Sequence, residues 1–206
     1  MSPDESGTQP TVVIADDETD ITNLYASILA NEYDVRTAYN GEEALEAVDE
    51  TVDLALLDLK MPERSGEQAL TELRNRGYDF PIGFVSGYEL EERLLTLEFD
   101  DYIVKPLSAD DLREFTDSLL ARRDLGPELR EYFALISKLV LFRQTNESAN
   151  IDDNETYQQL SAQLNEVQDT VEGRLTSIAP EEYHVWLREE IADKITDTPH
   201  SLAIDY

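Results

Sequence analysis

The chain of 206 residues carries 46 Asp and Glu against 16 Lys and Arg, a formal charge of −30, and contains no Cys. That length admits one large domain, or one ordinary domain with an appendage. The missing Cys excludes disulfides and thiolate metal sites, no apolar run is long enough to cross a bilayer, and the charge argues against non-specific nucleic-acid binding, which needs a basic footprint.

Strong apolar periodicity accompanies the acidity, so the composition reads as a folded protein with an acidic, Lys-poor surface rather than as disorder. Such a surface suits a high-salt cytoplasm, where self-repulsion is screened within a few Å. The N-terminus, Met1-Ser2-Pro3-Asp4-Glu5, is polar and lacks a secretory apolar region, so a soluble cytoplasmic protein is expected. Acidity is unevenly spread. Residues 124–145 hold three acids and three bases, whereas 146–206 hold 14 acids and three bases. The neutral stretch is a candidate for an intramolecular or partner contact.

Residues 1–10 read as a flexible tail. Thr11–Ala15 is a continuous apolar run of the buried parallel-strand type. Ile21, Leu24, Tyr25, Ile28 and Leu29 recur at helical spacing, which predicts a helix over 18–31. A strand over 33–38, the Asn40-Gly41 turn and a helix over 41–49 follow. Asp53–Leu57 is a central strand, and a helix over 65–76 has Ala69, Leu70 and Leu73 on one face. The remaining units are a strand over 81–85, a short helix over 90–97, a strand over 101–104 and a helix that begins at the cap Ser108. In that last helix Arg122 and Arg123 suit the dipole at the C-terminal end. Five β-α units in strict alternation imply an α/β fold with a doubly wound five-stranded parallel sheet, flavodoxin-like, of strand order 2-1-3-4-5.

Gly126-Pro127 breaks this pattern. A helix over 128–143 carries the stripe Leu129, Tyr132/Phe133, Ile136, Leu139/Val140. A polar connection over 146–154 precedes a long helix over 155–178. There Tyr157, Leu160, Leu164, Val167, Val171, Leu175 and Ile178 form a narrow, coiled-coil-like seam. A last helix from Pro180 places Tyr183, Trp186/Leu187, Ile191 and Ile195 on one face. The chain thus divides into a tail (1–10), an α/β domain (11–123) and an all-α extension (124–206).

In such sheets ligands sit at the carboxyl ends of the strands near the topological switch point. Asp16 and Asp17 follow the first strand, Asp58 ends the third, and Lys105 ends the fifth. A buried ionised Asp is costly unless something uses or balances it. Three carboxylates and one ammonium at strand ends point to a cation site beside an anion-binding lysine; the bland alternative is surface charge at loop starts. Mg²⁺ favours carboxylates and water, often with substrate phosphate oxygens. Asp17 and Asp58 could ligate it directly, Asp16 directly or through water, and the Lys60 backbone carbonyl could complete the protein share. Asp58 could then act as a nucleophile toward a phosphoryl group, with Lys105 offsetting charge. Ser86 is placed to donate a hydrogen bond to the same oxygens, and Gly87 leaves room for close approach.

Asp16-Asp17, Leu56-Leu57-Asp58-Leu59-Lys60-Met61-Pro62, Val85-Ser86-Gly87 and Tyr102-Ile103-Val104-Lys105-Pro106 together resemble the receiver domain of two-component response regulators. The resemblance covers about residues 10–123. It implies that Asp58 is the phosphoacceptor for a sensor histidine kinase, and that Asp16 and Asp17 belong to its Mg²⁺ site. It also implies that Ser86 and Lys105 read the phosphoryl group, and that Tyr102 is the aromatic switch residue. The implied role is a phosphoacceptor switch rather than an enzyme, working by a population shift of the face formed by the segments 90–97, 101–104 and 108–123. Residues 122–138 resemble the start of the HalX helical domain of halophile regulators. That implies a signalling output module without fixing its biochemistry.

Alternatives on the same fold meet specific objections. A flavin-binding protein would need a hydroxyl- and Gly-rich phosphate loop where Asp16-Asp17-Glu18 stands. An aspartate-based phosphatase would carry a second Asp two residues after the nucleophile, where Lys60 stands. No P-loop or dinucleotide fingerprint is present. Output stays open between protein contacts, including a homodimer through the C-terminal helices, and direct DNA binding. The seam over 157–178 favours the former, although it could instead pack within one chain. No recognition helix or basic face is visible for the latter.

Overall fold

The computed structural model describes residues 9–88, 91–146 and 151–178. Residues 1–8 of the tail expected over 1–10, and the expected helix from Pro180 with Tyr183 and Trp186, lie outside them. The chain divides into two compact units, with the boundary between Gly126 and Pro127.

In the first unit the strands β1 (Thr11–Ala15), β2 (Asp34–Ala38), β3 (Leu54–Leu57), β4 (Ile82–Ser86) and β5 (Asp101–Val104) alternate with the helices α1 (Thr19–Leu29), α2 (Gly41–Ala47), α3 (Gly66–Asn75) and α4 (Ala109–Arg123). All pairings are parallel, in the order β2-β1-β3-β4-β5. β1, β3 and β4 are buried along their whole length, as apolar runs covered on both faces should be. α1 packs beside α4, and α2 beside α3. Val12, Ile14, Leu54, Leu56 and Val85 from the sheet form one core with Tyr25, Leu29, Leu112, Phe115 and Leu119 from α1 and α4. Gly83 allows that packing, because a Cβ there would stand 2.6 Å from Leu119 Cδ1.

Local chemistry sets the helix starts. Ser65 and Gln68 form a capping box on α3, and Ser108 and Asp111 form one on α4. One expected helix differs. In place of an α-helix over 90–97 the chain forms a short 3₁₀ helix, Glu92–Thr96. The amides of Leu94 and Leu97 bond back three residues, to Glu91 and Leu94. Leu94 and Leu95 are both buried. Arg122 also departs from expectation. It is buried and paired with Asp101 at 3.0 Å rather than serving only the helix dipole.

The second unit contains α5 (Pro127–Thr145), a short 3₁₀ turn (Ile151–Asp153) and α6 (Glu155–Ile178). The Asn154 carboxamide accepts from the amides of Thr156 (2.8 Å) and Tyr157 (3.1 Å), which caps α6. Tyr157, Leu160, Leu164 and Val171 of the seam are buried. The seam packs within the chain, because α6 lies on α5. The Tyr157 ring stands 5.8 Å from that of Phe142, and the Arg143 Nε donates to its hydroxyl at 3.1 Å. Burial on α5 is wider than the expected stripe and takes in Leu135, Ser137 and Lys138.

Candidate metal and phosphoryl site

Register builds the site. Ala15 of β1 is level with Leu57 of β3, so the next residues, Asp16 and Asp58, leave adjoining strands side by side. The Asp58 amide donates to the Ala15 carbonyl at 2.8 Å, and the Asp16 amide to that of Ala38 at 3.1 Å. Both side chains are buried, while Asp17 is exposed. Carboxylate oxygens of Asp16, Asp17 and Asp58 lie within 4.8 Å of one another. Oxygens around one Mg²⁺ stand at most about 4.2 Å apart, so a small inward adjustment would let the three share an ion.

The cation comes from the other side of the sheet. Ser86 is level with Val104, and the Lys105 amide donates to the Ser86 carbonyl at 2.9 Å, extending the β4–β5 ladder to the site. The Lys105–Pro106 peptide is cis. Lys105 Nζ donates to Asp16 Oδ2 and lies 3.6 Å from Asp58 Oδ1 and 3.9 Å from Glu18 Oε1. One ammonium among three clustered carboxylates leaves a net negative site, which favours a divalent cation.

The remaining bonds orient these groups. Asp16 Oδ1 accepts from the Glu18 amide at 2.9 Å, and Thr22 Oγ1 donates to the Asp16 carbonyl at 2.8 Å. Asp58 Oδ2 accepts from the Lys60 amide at 3.0 Å. The Lys60 side chain turns away, with Nζ 3.4 Å from the centroid of the Tyr88 ring. Gly66 starts α3 flush against the site, because a Cβ there would meet the Asp58 carbonyl oxygen at 2.1 Å.

Burial pushes the Asp58 carboxyl above the ordinary carboxylate range; Lys105, Ser86 and the Lys60 amide pull it back, and the Asp16 charge adds to the rise. For Lys105, burial acts downward, but the Asp16 hydrogen bond and the charges of Asp58 and Asp16 outweigh it and raise the ammonium pKa. Burial pushes the Tyr102 phenol up to about 12, against the pull of Ser86.

Ser86 is the incomplete part. Its Oγ is buried and makes no hydrogen bond of ordinary geometry, although it sits near enough to Asp58 and Tyr102 to lower the pKa of both. Beside it, a Cβ on Gly87 would meet nothing within 4 Å, so the approach to Ser86 is open there. Tyr102 is buried against Phe84 and Phe99, and its hydroxyl donates to the Tyr88 carbonyl. The structure therefore brings together Asp16, Asp17, Asp58, Lys105 and Ser86, with Tyr102 behind Ser86. Lys60 joins through its amide. Sequence reasoning missed Thr22 and Tyr88. Thr22 sits among the helical positions of α1 with no spacing signal of its own, and Tyr88 contributes a backbone carbonyl, which leaves no mark in a sequence.

Residues 12–117 match the response regulator receiver domain family, and residues 121–186 match the HalX domain. A putative transcriptional regulator of Haloferax volcanii is 38% identical over 137 residues, which cover 66% of this chain and 24% of that protein. The response regulator SaeR of Staphylococcus epidermidis is 36% identical over 115 residues, 54% of this chain and 50% of that one. The chain spans no more than half the length of these two relatives. A CheY-like receiver domain protein of Methanospirillum hungatei has a similar solved structure, with a TM-score of 0.53 at 29% identity over 57% of this chain and 98% of that one. With the strand order and the strand-end carboxylates already in place, these matches show that the chain belongs to the response regulator family, as a receiver domain followed by a HalX domain.

Proposed function

We propose that this chain is a phosphorylation-controlled switch of a two-component system, in which Asp58 accepts a phosphoryl group from a sensor histidine kinase. The observation that carries the reading is the setting of Asp58. It stands in a carboxylate cluster beside Lys105, with the unbonded Ser86 hydroxyl close by. An Asp58 oxygen attacks phosphorus and forms a P–O bond; the donor's bond to phosphorus breaks, and its electron pair stays on the donor. Asp16, Asp17, Asp58 and the Lys60 carbonyl would hold Mg²⁺, which when bound supplies charge neutralisation for the phosphoryl oxygens.

Residues of the chain do the rest. The Lys105 ammonium, now on Asp16 and within reach of Asp58, supplies the cation for the new anion. The Ser86 hydroxyl, which makes no hydrogen bond of ordinary geometry here, gains a well-placed acceptor in the phosphorylated state. Moving Ser86 disturbs Tyr88 two residues on, and with it the Tyr102 hydrogen bond. The surface around Tyr102 shifts population as a result. The protein is thus an acceptor rather than an enzyme, although the same groups support its own phosphorylation and a slow loss of the phosphoryl group. Output passes through the HalX helices to a protein partner or a second copy, in regulation of transcription or another cytoplasmic process. The α6 seam bears on this output, since its buried residues already pack on α5 and leave less apolar surface for a coiled coil.

The test is intact-protein mass after incubation with Mg²⁺ and a small phosphodonor in concentrated KCl, for the wild type, for Asp58→Ala and for the wild type with the metal chelated. The expected result is one phosphoryl adduct in the first sample and none in the other two. An adduct that forms equally well without Mg²⁺ would remove the metal from the reading.

A further inference from the structure

We propose that Glu67 and Arg93 form a latch that holds the segment after Ser86 in its resting position and so slows phosphorylation of Asp58. The inference rests on the phosphoacceptor reading above. Arg93 Nη1 and Nη2 meet Glu67 Oε2 and Oε1 at 2.6 and 2.9 Å, a parallel two-bond fork. Arg93 Nε meets Glu91 Oε2 at 2.8 Å, so the guanidinium is held from two sides.

The latch matters because of what its two ends are attached to. Glu67 lies in the first turn of α3, which is fixed to the site. The neighbouring Gly66 amide donates to the Leu59 carbonyl at 3.0 Å, and the Gly66 Cα leaves no room for a Cβ against Asp58. Arg93 lies in the 3₁₀ helix Glu92–Thr96, which follows β4 and Tyr88, whose carbonyl holds the Tyr102 hydroxyl. The pair therefore ties the element after the acceptor to the element after the hydroxyl that must move toward it. Buried Leu94 and Leu95 hold the segment to the core. The far end of the segment is also tied to α3, where Arg74 Nε donates to the Glu98 carbonyl at 3.1 Å; the fork ties its near end to the first turn of α3, next to the site.

Displacing Ser86 toward a phosphoryl group pulls on this segment, and the fork resists. Arg93 is exposed, so its hold is modest and salt-sensitive. A modest hold is what a switch requires, because a small bias moves a two-state equilibrium by a readable factor without freezing it.

The test uses the full chain in concentrated KCl and again at the lowest KCl at which it stays folded, where the larger effect is expected, as wild type, Glu67→Gln, Arg93→Gln and the double variant E67Q/R93Q. Hydrogen exchange of the Leu94 and Leu97 amides reads the latch by itself, and the rate of adduct formation from Mg²⁺ and a small phosphodonor reads its coupling to the switch. Both single variants are expected to exchange these amides faster and to phosphorylate about two- to fivefold faster. The double variant is expected to match the single variants rather than add their effects, because the two residues act through one contact; additive effects would show that they act separately and would overturn the pair as a latch. Unchanged exchange in the single variants would overturn the latch. Faster exchange with an unchanged phosphorylation rate would overturn its control of the switch. Faster exchange together with no adduct on wild type would overturn that control along with the phosphoacceptor reading, and would leave only a local brace.

Discussion

The two ends of the sheet handle buried carboxylates in opposite ways. At the end where the strands start, the buried or part-buried Asp53, Asp100 and Asp101 are each closed off. Asp53 accepts from the Thr11 amide at 2.7 Å and from Arg123 at 2.5 Å. Asp100 accepts from the Ile82 amide at 2.8 Å and from Arg74 at 3.0 Å. Asp101 accepts from the Tyr102 amide at 2.9 Å and from Arg122 at 3.0 Å. At the end where the strands stop, Asp16, Asp17 and Asp58 cluster with one Lys105 beside Asp16 and Asp58, and a buried Ser86 hydroxyl makes no hydrogen bond of ordinary geometry. The difference teaches how to separate structure from function in an acidic protein. A carboxylate with its own arginine and backbone donor stabilises the fold. A cluster with more anions than cations is held in place by the rest of the fold, and waits for a ligand to complete it.

Breaking the closed end should have the largest effect. Arg122→Ala strips a buried ion pair of one partner and leaves the Asp101 charge buried, so denaturant unfolding is expected to show a loss of about 3–5 kcal/mol. The fraction that stays folded should keep its phosphorylation rate. An equal loss of both would show that the two ends are not separable.

Gly66→Ala attacks the open end through packing. Its Cβ would collide with the Asp58 carbonyl oxygen, which is backbone and cannot swing away. A loss of about 1–3 kcal/mol is expected, as for other overpacked sites, together with weaker Mg²⁺ binding measured by tyrosine fluorescence. A variant of wild-type stability and Mg²⁺ affinity would mean that α3 does not brace the site.

Glu63→Gly probes strain beside the same site. Glu63 holds φ at 64° in the loop after Asp58, a region costly for residues with a Cβ. Glycine should raise stability by about 0.5–1 kcal/mol in thermal unfolding, the gain being partly offset by its larger unfolded-state entropy.

Asp58→Asn sharpens the contrast by sign rather than size. The Asp58 carboxyl is raised by burial first, so the folded state binds its proton more tightly than the unfolded chain does. Stability from this group therefore falls as pH rises from the ordinary carboxylate pKa toward the folded one, and ionised Asp58 is a net cost at neutral pH. Without Mg²⁺, the asparagine variant should match or exceed wild-type stability at pH 7, whereas Asp101→Asn should fall below it. Urea midpoints of the three proteins decide the point.

The sequence makes the open end easier to read than the closed one. Asp16, Asp58 and Lys105 each stand at the end of an apolar run, and the β-α alternation places those ends on one side of a parallel sheet. The 2-1-3-4-5 order follows from the same alternation. The arginine pairs were illegible because Arg74, Arg122 and Arg123 meet partners 26, 21 and 70 residues away, distances that no periodicity encodes. The 3₁₀ form of the segment Glu92–Thr96 was illegible because a stretch this short carries too few apolar positions to set a period. The seam of α6 was legible as a seam, but which surface it faces depends on α5.

The most direct test of the account compares the two ends in one experiment. Wild type, Asp58→Asn and Asp101→Asn would each be incubated with Mg²⁺ and a small phosphodonor in concentrated KCl and weighed intact, with folding confirmed by circular dichroism. The account predicts one phosphoryl adduct on wild type and on folded Asp101→Asn, and none on Asp58→Asn. An adduct on Asp58→Asn equal to that on wild type would contradict it, because the nucleophile would then lie elsewhere in the chain.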